Sequence, residues 1–247
     1  MRFLFSTSHE RPLSSVPSRI ILLLGAALIV LGVWQAAAPK PVARASSLGM
    51  PPDISWLRAT SLGDPIALSQ LLVLYLQAFD NQPGVSVAFR ELDYSAVEAW
   101  LEIALALDAA AQYPLMMAAQ LYAQVPDEPK QRQMLEFVRR EFLRDPNRRW
   151  RWLAHAAIVA KHRLNDMPLA LRYAEDITQH ATAAPNWARQ MRIFILEDAG
   201  EYEAAAVLLG GLLASGEVTD SAEIRFLMQR LEALKSVEKS SKSSKYR

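Results

Sequence analysis

The sequence predicts an all-α protein: one N-terminal transmembrane helix, then an α-solenoid of about four helix pairs closed by a capping helix. Three observations carry that prediction. "RIILLLGAALIVLGVWQAAA" (Arg19–Ala38) holds no charge after Arg19. From Asp64 onward, apolar residues recur at helical spacing in one segment after another, and none alternates with period two. The breaks between segments are short and fall at Asp-Pro, Asn-Asp, Ala-Pro-Asn and Ala-Gly-Glu.

The first element is the apolar segment, preceded by an N-terminal tail over residues 1–18. Its run after Arg19 reaches about 28 Å as a helix, close to the hydrocarbon thickness of a bilayer. Ile20, Leu24, Leu28 and Leu31 are expected to face lipid, and Trp34 to sit at the interface where an indole is half wet. The competing reading is a cleaved signal peptide, with Ile20–Trp34 as its apolar core and "ARA" (Ala43–Ala45) as the cleavage site, which would leave a secreted protein. Arg2, Arg11 and Arg19 precede the segment and only Lys40 and Arg44 follow closely, which sets the N-terminus in the cytoplasm. The body is then expected on the far side of a bacterial inner membrane, in the periplasm. Residues 39–63, rich in Pro, Ala and Ser, show no helical stripe and predict an extended stalk.

The body is expected over residues 64–235. "DPIALSQLLVLYLQAF" begins with an Asp cap and a first-turn Pro, and its apolar residues cover most of the helix circumference. "NQPGVSV" then breaks the chain. "LDYSAVEAWLEIALALD", capped by Asp93, is followed by "AQYPLMMAAQLYAQV", "EPKQRQMLEFVRREFL", "RWRWLAHAAIVAKHRL" and "MPLALRYAEDITQHA". "NWARQMRIFILEDA", "EYEAAAVLLGGLLAS" and "SAEIRFLMQRLEALKSV" complete the set. The final helix carries Glu223, Gln229, Arg230 and Glu232 among its apolar positions, as a cap should. The tail over residues 236–247, "SVEKSSKSSKYR", is expected to be disordered and solubilising, with anionic lipid or an acidic partner as its functional alternative.

Pairing Ala170 with Ala205 aligns the chain with itself at an offset of 35 residues, setting Trp152 on Trp187, Ile158 on Ile193 and Val159 on Phe194. On "LALRYAEDI", "GEYEAAAVLL", "DYSAVEAWLEIALALD" and the Asp145-Pro146 junction, the chain resembles the tetratricopeptide repeat family over residues 64–234. It departs from the family at the small residue of each first helix, where it has Ile158 and Ile193. The resemblance implies that the first helix of each pair lines a concave groove. Trp152, His155, Val159, His162 and Arg163 would then occupy groove slots, as would Trp187, Gln190 and Phe194 in the next repeat. Such a groove suits an extended peptide, with apolar anchors on the rings and a carboxylate at Arg163 or the His pair. The competing reading buries Trp152 and Trp187 between repeats and leaves a solvated polar face. Trp150 is expected to pack against a neighbouring helix, and Asn147 to cap the helix that "RRWRW" opens.

Charge and motifs narrow the function classes. The net charge of +1 divides into basic ends and an acidic body, 19 basic against 24 acidic residues over 38–234, so no nucleic-acid partner is expected. There is no Cys, and hence no disulfide, thiolate nucleophile or Cys-based metal site. Of the four His, His155 and His162 stand two turns apart, about 10 Å along a helix, too far to share a metal unaided. No metalloprotease, phosphate-loop or nucleophile-elbow motif occurs. Glu98, Glu102, Glu136 and Glu141 lie between apolar positions and are expected on solvated faces. Gly210-Gly211 reads as a packing or kink feature. No catalytic residue, metal, cofactor or small-molecule substrate is therefore expected. The reading is a membrane-anchored adaptor or assembly factor that binds a protein or peptide partner and contacts the bilayer through its first helix. A stably incorporated structural subunit is the alternative, with a helical enzyme third.

Overall fold

The computed structural model describes residues 16–37 and 45–245, with side chains through Val237. The chain divides into two units, residues 1–44 and 45–247. The first contributes α1 (Ser18–Ala37), none of whose residues is buried. Its length and a mean hydropathy of 2.4 meet the requirement for a membrane span, and a signal sequence meets the same requirement. Ile20, Leu24, Leu28, Leu31 and Trp34 are all exposed on it, Trp34 most at 75%.

The second unit is all-α apart from one two-residue hairpin. Its helices are α2 (Ile54–Thr60), α3 (Pro65–Ala78), α4 (Tyr94–Leu107), α5 (Tyr113–Met116), α6 (Glu128–Arg144), α7 (Pro146–His162), α8 (Met167–His180), α9 (Asn186–Arg189), α10 (Met191–Asp198), α11 (Tyr202–Ser215) and α12 (Ser221–Lys245). Aspartates start most of them. The carboxylates of Asp53, Asp64, Asp93, Asp127 and Asp166 accept the N–H groups of Ser55, Ala67, Ser95, Lys130 and Leu169, donors a helix start otherwise leaves unpaired. Pro65, Pro129, Pro146 and Pro168 stand in first turns, where a missing N–H costs nothing. Gly216, at φ +70°, ends α11 in the left-handed conformation that glycine adopts without strain.

From α3 to α12 successive helices pack on one another, except that α6 meets the turns over residues 117–124 rather than α5 itself, and α4 also touches α6. Two apolar clusters result. The larger runs from Leu48 to Ile195, and the smaller joins Ile193, Leu196, Leu209, Leu227 and Leu234 across α10, α11 and α12. Leu171 packs against both.

Several sequence expectations are corrected here. The stalk does not extend to residue 63. Leu48 is 5% exposed and Leu57 3%. Ser46 exchanges two hydrogen bonds with Gln82, and the Trp100 indole donates to the Gly49 carbonyl at 2.8 Å. An extended chain carries unpaired backbone groups and here two apolar anchors, and the body satisfies both. Residues 38–44 and the tail up to residue 15 lie outside the described residues. "NQPGVSV" is more than a break: Asn81–Gln82 pairs antiparallel with Val85–Ser86 around Gly84 at φ +78°. The helix expected over "AQYPLMMAAQLYAQV" splits, because α5 widens into a π turn at Met117–Leu121, tightens into a 3-10 turn at Tyr122–Gln124 and stops where Pro126 forces Val125 extended. The helix expected over "NWARQMRIFILEDA" divides at Gln190 into α9 and α10. The C-terminal stretch expected to be disordered continues α12 to Lys245, since no Gly or Pro after Gly216 interrupts it.

The 3-10 turn sets Tyr122 in the core, fully buried, with its ring edge-on to Phe89 and Tyr94 at 5.7 and 5.9 Å. The Tyr94 hydroxyl donates to the Tyr122 carbonyl at 3.0 Å, whereas the Tyr122 hydroxyl is buried without a partner among the described residues. A buried hydroxyl without a partner loses its hydration and gains nothing, while a bonded one leaves a stranded acceptor when removed. Tyr122→Phe is therefore expected to be neutral or to stabilise by up to ~1 kcal/mol. Tyr94→Phe is expected to cost ~1–2 kcal/mol. Chemical denaturation of the two variants checks the opposite signs. Equal losses would show that the Tyr122 hydroxyl has a partner in solution.

Candidate functional site

The segment with the most unusual sequence, Arg148–Trp152, forms a joint between helices. Asp145 ends α6 and begins α7, so the helix starts one residue before Asn147. Asn147 is displaced from the expected cap and accepts the Ala183 N–H at 2.8 Å, tying α7 to the turn after α8. Arg148 pairs with Asp145 at 3.0 Å. Arg149 is 3% exposed. Its Nη1 donates to the Glu141 carbonyl at 2.7 Å and to Glu141 Oε2 at 2.8 Å, and its Nη2 donates to the Ala109 carbonyl at 3.0 Å. Trp150 stacks edge-on against Trp187 at 5.5 Å, with the Arg151 guanidinium 5.8 Å from its ring. The Trp152 indole donates to Gln112 Oε1 at 2.8 Å. Three loops and helices meet on these side chains, which leaves the run little freedom to bind an anion.

The groove expected on α7 and its repeat is only partly available. Val159 is 4% exposed and Gln190 7%, so neither faces solvent. Val159 lies on the apolar side of α7, and Gln190 sits at the break between α9 and α10 and donates to Glu223 at 2.8 Å. Ile158 takes the exposed position instead, at 47%. His162 and Arg163 are exposed at the end of α7, and Arg163 donates to the Gln124 carbonyl at 2.6 Å. Trp152, His155 and Phe194 are half-buried, and Trp187 is 55% exposed despite its contact with Trp150. His155 Nε2 is buried without a partner among the described residues, and burial pushes this imidazole below the usual histidine range.

Most of the carboxylates expected on solvated faces are connectors. Glu98 on α4 receives Arg140 at 2.7 Å and Gln133 at 2.8 Å from α6, and Glu102 receives Arg144 at 3.3 Å. From α6, Arg139 reaches Asp176 on α8 at 2.6 Å, and Arg132 reaches Asp166 at 2.6 Å. The Arg132 guanidinium, with the Leu169 N–H, holds the Asp166 carboxyl below the usual carboxylate range. Arg230 of α12 meets Glu197 of α10 at 2.6 Å. Glu141 is 1% exposed and fully enclosed. Exposed pairs of this kind add little stability singly, but directional pairs between neighbouring helices restrict how far each can slide. A sequence signal existed: these pairs join residues 33 to 42 positions apart, near the offset that relates the helix pairs.

Two cavities escaped the sequence reading. One, of about 530 Å³, opens between α3 and the α4–α5 connection and is lined by Gln70, Val73, Leu74, Gln77, Gln112 and Tyr113, among others. Gln112 is the acceptor for the Trp152 indole, so this cleft borders the α7 joint. The other, of about 490 Å³, lies between α8–α10 and α11, with Arg189, Ile193, Val207, Leu212 and Val218 in its walls. Both form where segments distant in sequence approach, and local periodicity does not register that. Among the described residues no three His, Asp or Glu side chains converge as metal ligands would.

Comparison with protein-family models, with curated proteins and with solved structures returns no match.

Proposed function

We propose that this chain is a membrane-anchored, tetratricopeptide-like adaptor or assembly factor. In this reading α1 is retained as a single span with its N-terminus in the cytoplasm, and the body works outside the cytoplasmic face of a bacterial inner membrane. The body binds a protein or peptide partner by recognition alone. The successive packing of α3 through α12, with ion pairs joining α4 to α6 and α6 to α8, supports a stack of helix pairs.

The observation that carries the reading is the cleft between α3 and α5. Val73, Leu74 and Tyr113 give it apolar walls, and Gln70, Gln77 and Gln112 bring amides that can donate to and accept from a peptide backbone. Apolar anchors with amides beside them suit an extended segment. His162 and Arg163 at the end of α7 and Trp187 on α9 are exposed as well and are further candidate contacts. Tethering through α1 keeps the body at high local concentration near a membrane-bound partner.

Site-specific photo-crosslinking in cells tests this. A photoreactive residue at Gln77, Tyr113 or His162 is expected to capture one discrete protein, while the same residue at Gln179, exposed on α8, captures none. Adducts of equal yield from Gln179, or none from Gln77, Tyr113 and His162, would overturn the adaptor reading.

A further inference from the structure

Gly210 and Gly211 stand in the interior of α11, where glycine loses more backbone freedom than any other residue and weakens the helix. Close packing and a break were the two expectations for this pair. A Cβ added at either position would meet nothing within 4 Å, so no neighbour demands a glycine there. Nor does the helix break, since α11 runs on to Ser215. Gly211 instead lines the cavity of about 490 Å³. Val207, Leu208, Gly211, Leu212 and Ser215 recur at one- and two-turn spacing and give α11 one lining face, apolar but for the last.

The α9–α10 segment lines the same cavity with Asn186, Arg189, Gln190 and Arg192. That segment is braced. Asn186 and Gln190 both donate to Glu223 of α12, at 3.2 and 2.8 Å, and the Thr178 hydroxyl of α8 donates to the Arg189 carbonyl at 2.7 Å. Arg189 Nη2 meets Glu217 at 3.0 Å, and that carboxylate is 54% exposed. Arg189 Nε is buried without a partner among the described residues. Arg192 gives one nitrogen to Glu175 at 3.0 Å. A guanidinium carries five N–H donors, so neither arginine is saturated by a single carboxylate contact.

We propose that this cavity binds a monocarboxylate with an aliphatic tail, its carboxylate on Arg189 and its tail along the α11 face. The volume falls within the range of small-molecule sites, roughly 300–1,000 Å³. The lining matches the two ends of such a ligand. A guanidinium pairs with a carboxylate through parallel N–H groups, and Val207, Leu208 and Leu212 take methylenes out of water. Glu217 is the competitor for Arg189. A half-exposed ion pair is weak, and an incoming carboxylate displaces it. Gly211 leaves room for the tail. The same chemistry is offered by a free medium-chain acid and by the C-terminus of a polypeptide ending in a large aliphatic residue. The site shares no residue with the cleft of α3 and α5 and makes no use of α1, so it stands independently of the adaptor reading.

Calorimetric titration of full-length protein in lipid nanodiscs tests this, with the heats of empty nanodiscs subtracted. The probes are octanoate, octanamide, and the peptide acetyl-Ala-Ala-Leu with a free or an amidated C-terminus. At least one of the two acids is expected to bind, and its amide counterpart about tenfold or more weaker. Arg189→Gln is expected to weaken that acid about tenfold or more, and Gly211→Leu to abolish its binding. Glu217→Gln is expected to tighten it a few-fold by removing the competitor, a gain that a misfolded variant does not give. Leucine is a better helix former than glycine, and its Cβ meets nothing at 211, so circular dichroism of Gly211→Leu should match wild type. Tighter binding of octanoate assigns the site to a free acid, and tighter binding of the peptide acid to a polypeptide terminus. No binding of either acid in the millimolar range, or equal binding of acid and amide, would overturn the proposal. So would acid binding that survives both Arg189→Gln and Gly211→Leu, which places the ligand elsewhere.

Discussion

Replacing Arg149 by Ala is expected to lower the unfolding free energy of the body by about 3–5 kcal/mol. The guanidinium is 3% exposed and meets the Glu141 carboxylate, itself 1% exposed, together with the Glu141 and Ala109 carbonyls. Its removal takes the donor from a buried carboxylate and two carbonyl acceptors, although Arg144 keeps a bond to the other carboxylate oxygen. The loss arises from the charge left behind. A Glu141→Leu, Arg149→Met double variant, which removes both charges at similar volume, is therefore expected to lie within ~1–2 kcal/mol of wild type. Urea titration of full-length protein in detergent, followed by circular dichroism, reads both. Arg148→Ala is the control: its pair with Asp145 is half-exposed, and a change below ~1 kcal/mol is expected. If Arg149→Ala cost no more than Arg148→Ala, the joint would not be enclosed as described.

The second large effect is on membrane insertion. Leu24→Lys with Leu28→Lys sets two ammonium groups one helical turn apart near the middle of α1. Each charge at the centre of a span costs roughly 3 kcal/mol on insertion scales, against a small favourable contribution from each Leu. The variant is expected to leave the alkali-resistant membrane fraction, while Leu24→Ile with Leu28→Ile stays in it. Sizing by mass separates the anchor from its competitor. A retained span keeps the full 27.6 kDa chain in the membrane, and a cleaved signal yields a shorter soluble product. Recovery of the Lys variant in the membrane at wild-type yield would show that other contacts hold the protein there.

Helix identity was legible because its causes are local. The Asp caps of α3 and α4 and the apolar stripes of α3, α4, α6, α7 and α8 are short-range instructions, and they operate where the sequence locates them, whereas the cap expected at Asn147 of α7 does not. α1 was equally plain, since length and apolarity are properties of one segment. The expectation failed where distant segments supply the partner. Leu48 and Gly49 are unremarkable beside Pro, Ala and Ser, until Gln82 and Trp100 arrive to bind their neighbourhood. Glu141 looks like any surface carboxylate of an amphipathic helix, and only Arg149 folding back from α7 encloses it. Val159 and Gln190 occupied groove slots in the repeat pattern, yet the packing of α7 and the break before α10 bury them.

"RRWRW" shows the division most clearly. Sequence by itself determined that this chain is helical from α3 to α12, where most of those helices begin, and that one N-terminal helix is apolar enough for a bilayer, because hydrogen bonds to the next turn and side-chain spacing along one helix suffice for each. Tertiary structure alone decided that Arg149 points inward, that Trp150 meets Trp187 and Trp152 meets Gln112, and that a cleft opens beside them. Those outcomes depend on how neighbouring helices share a limited volume, and on burial raising the cost of any charge or donor left unpaired.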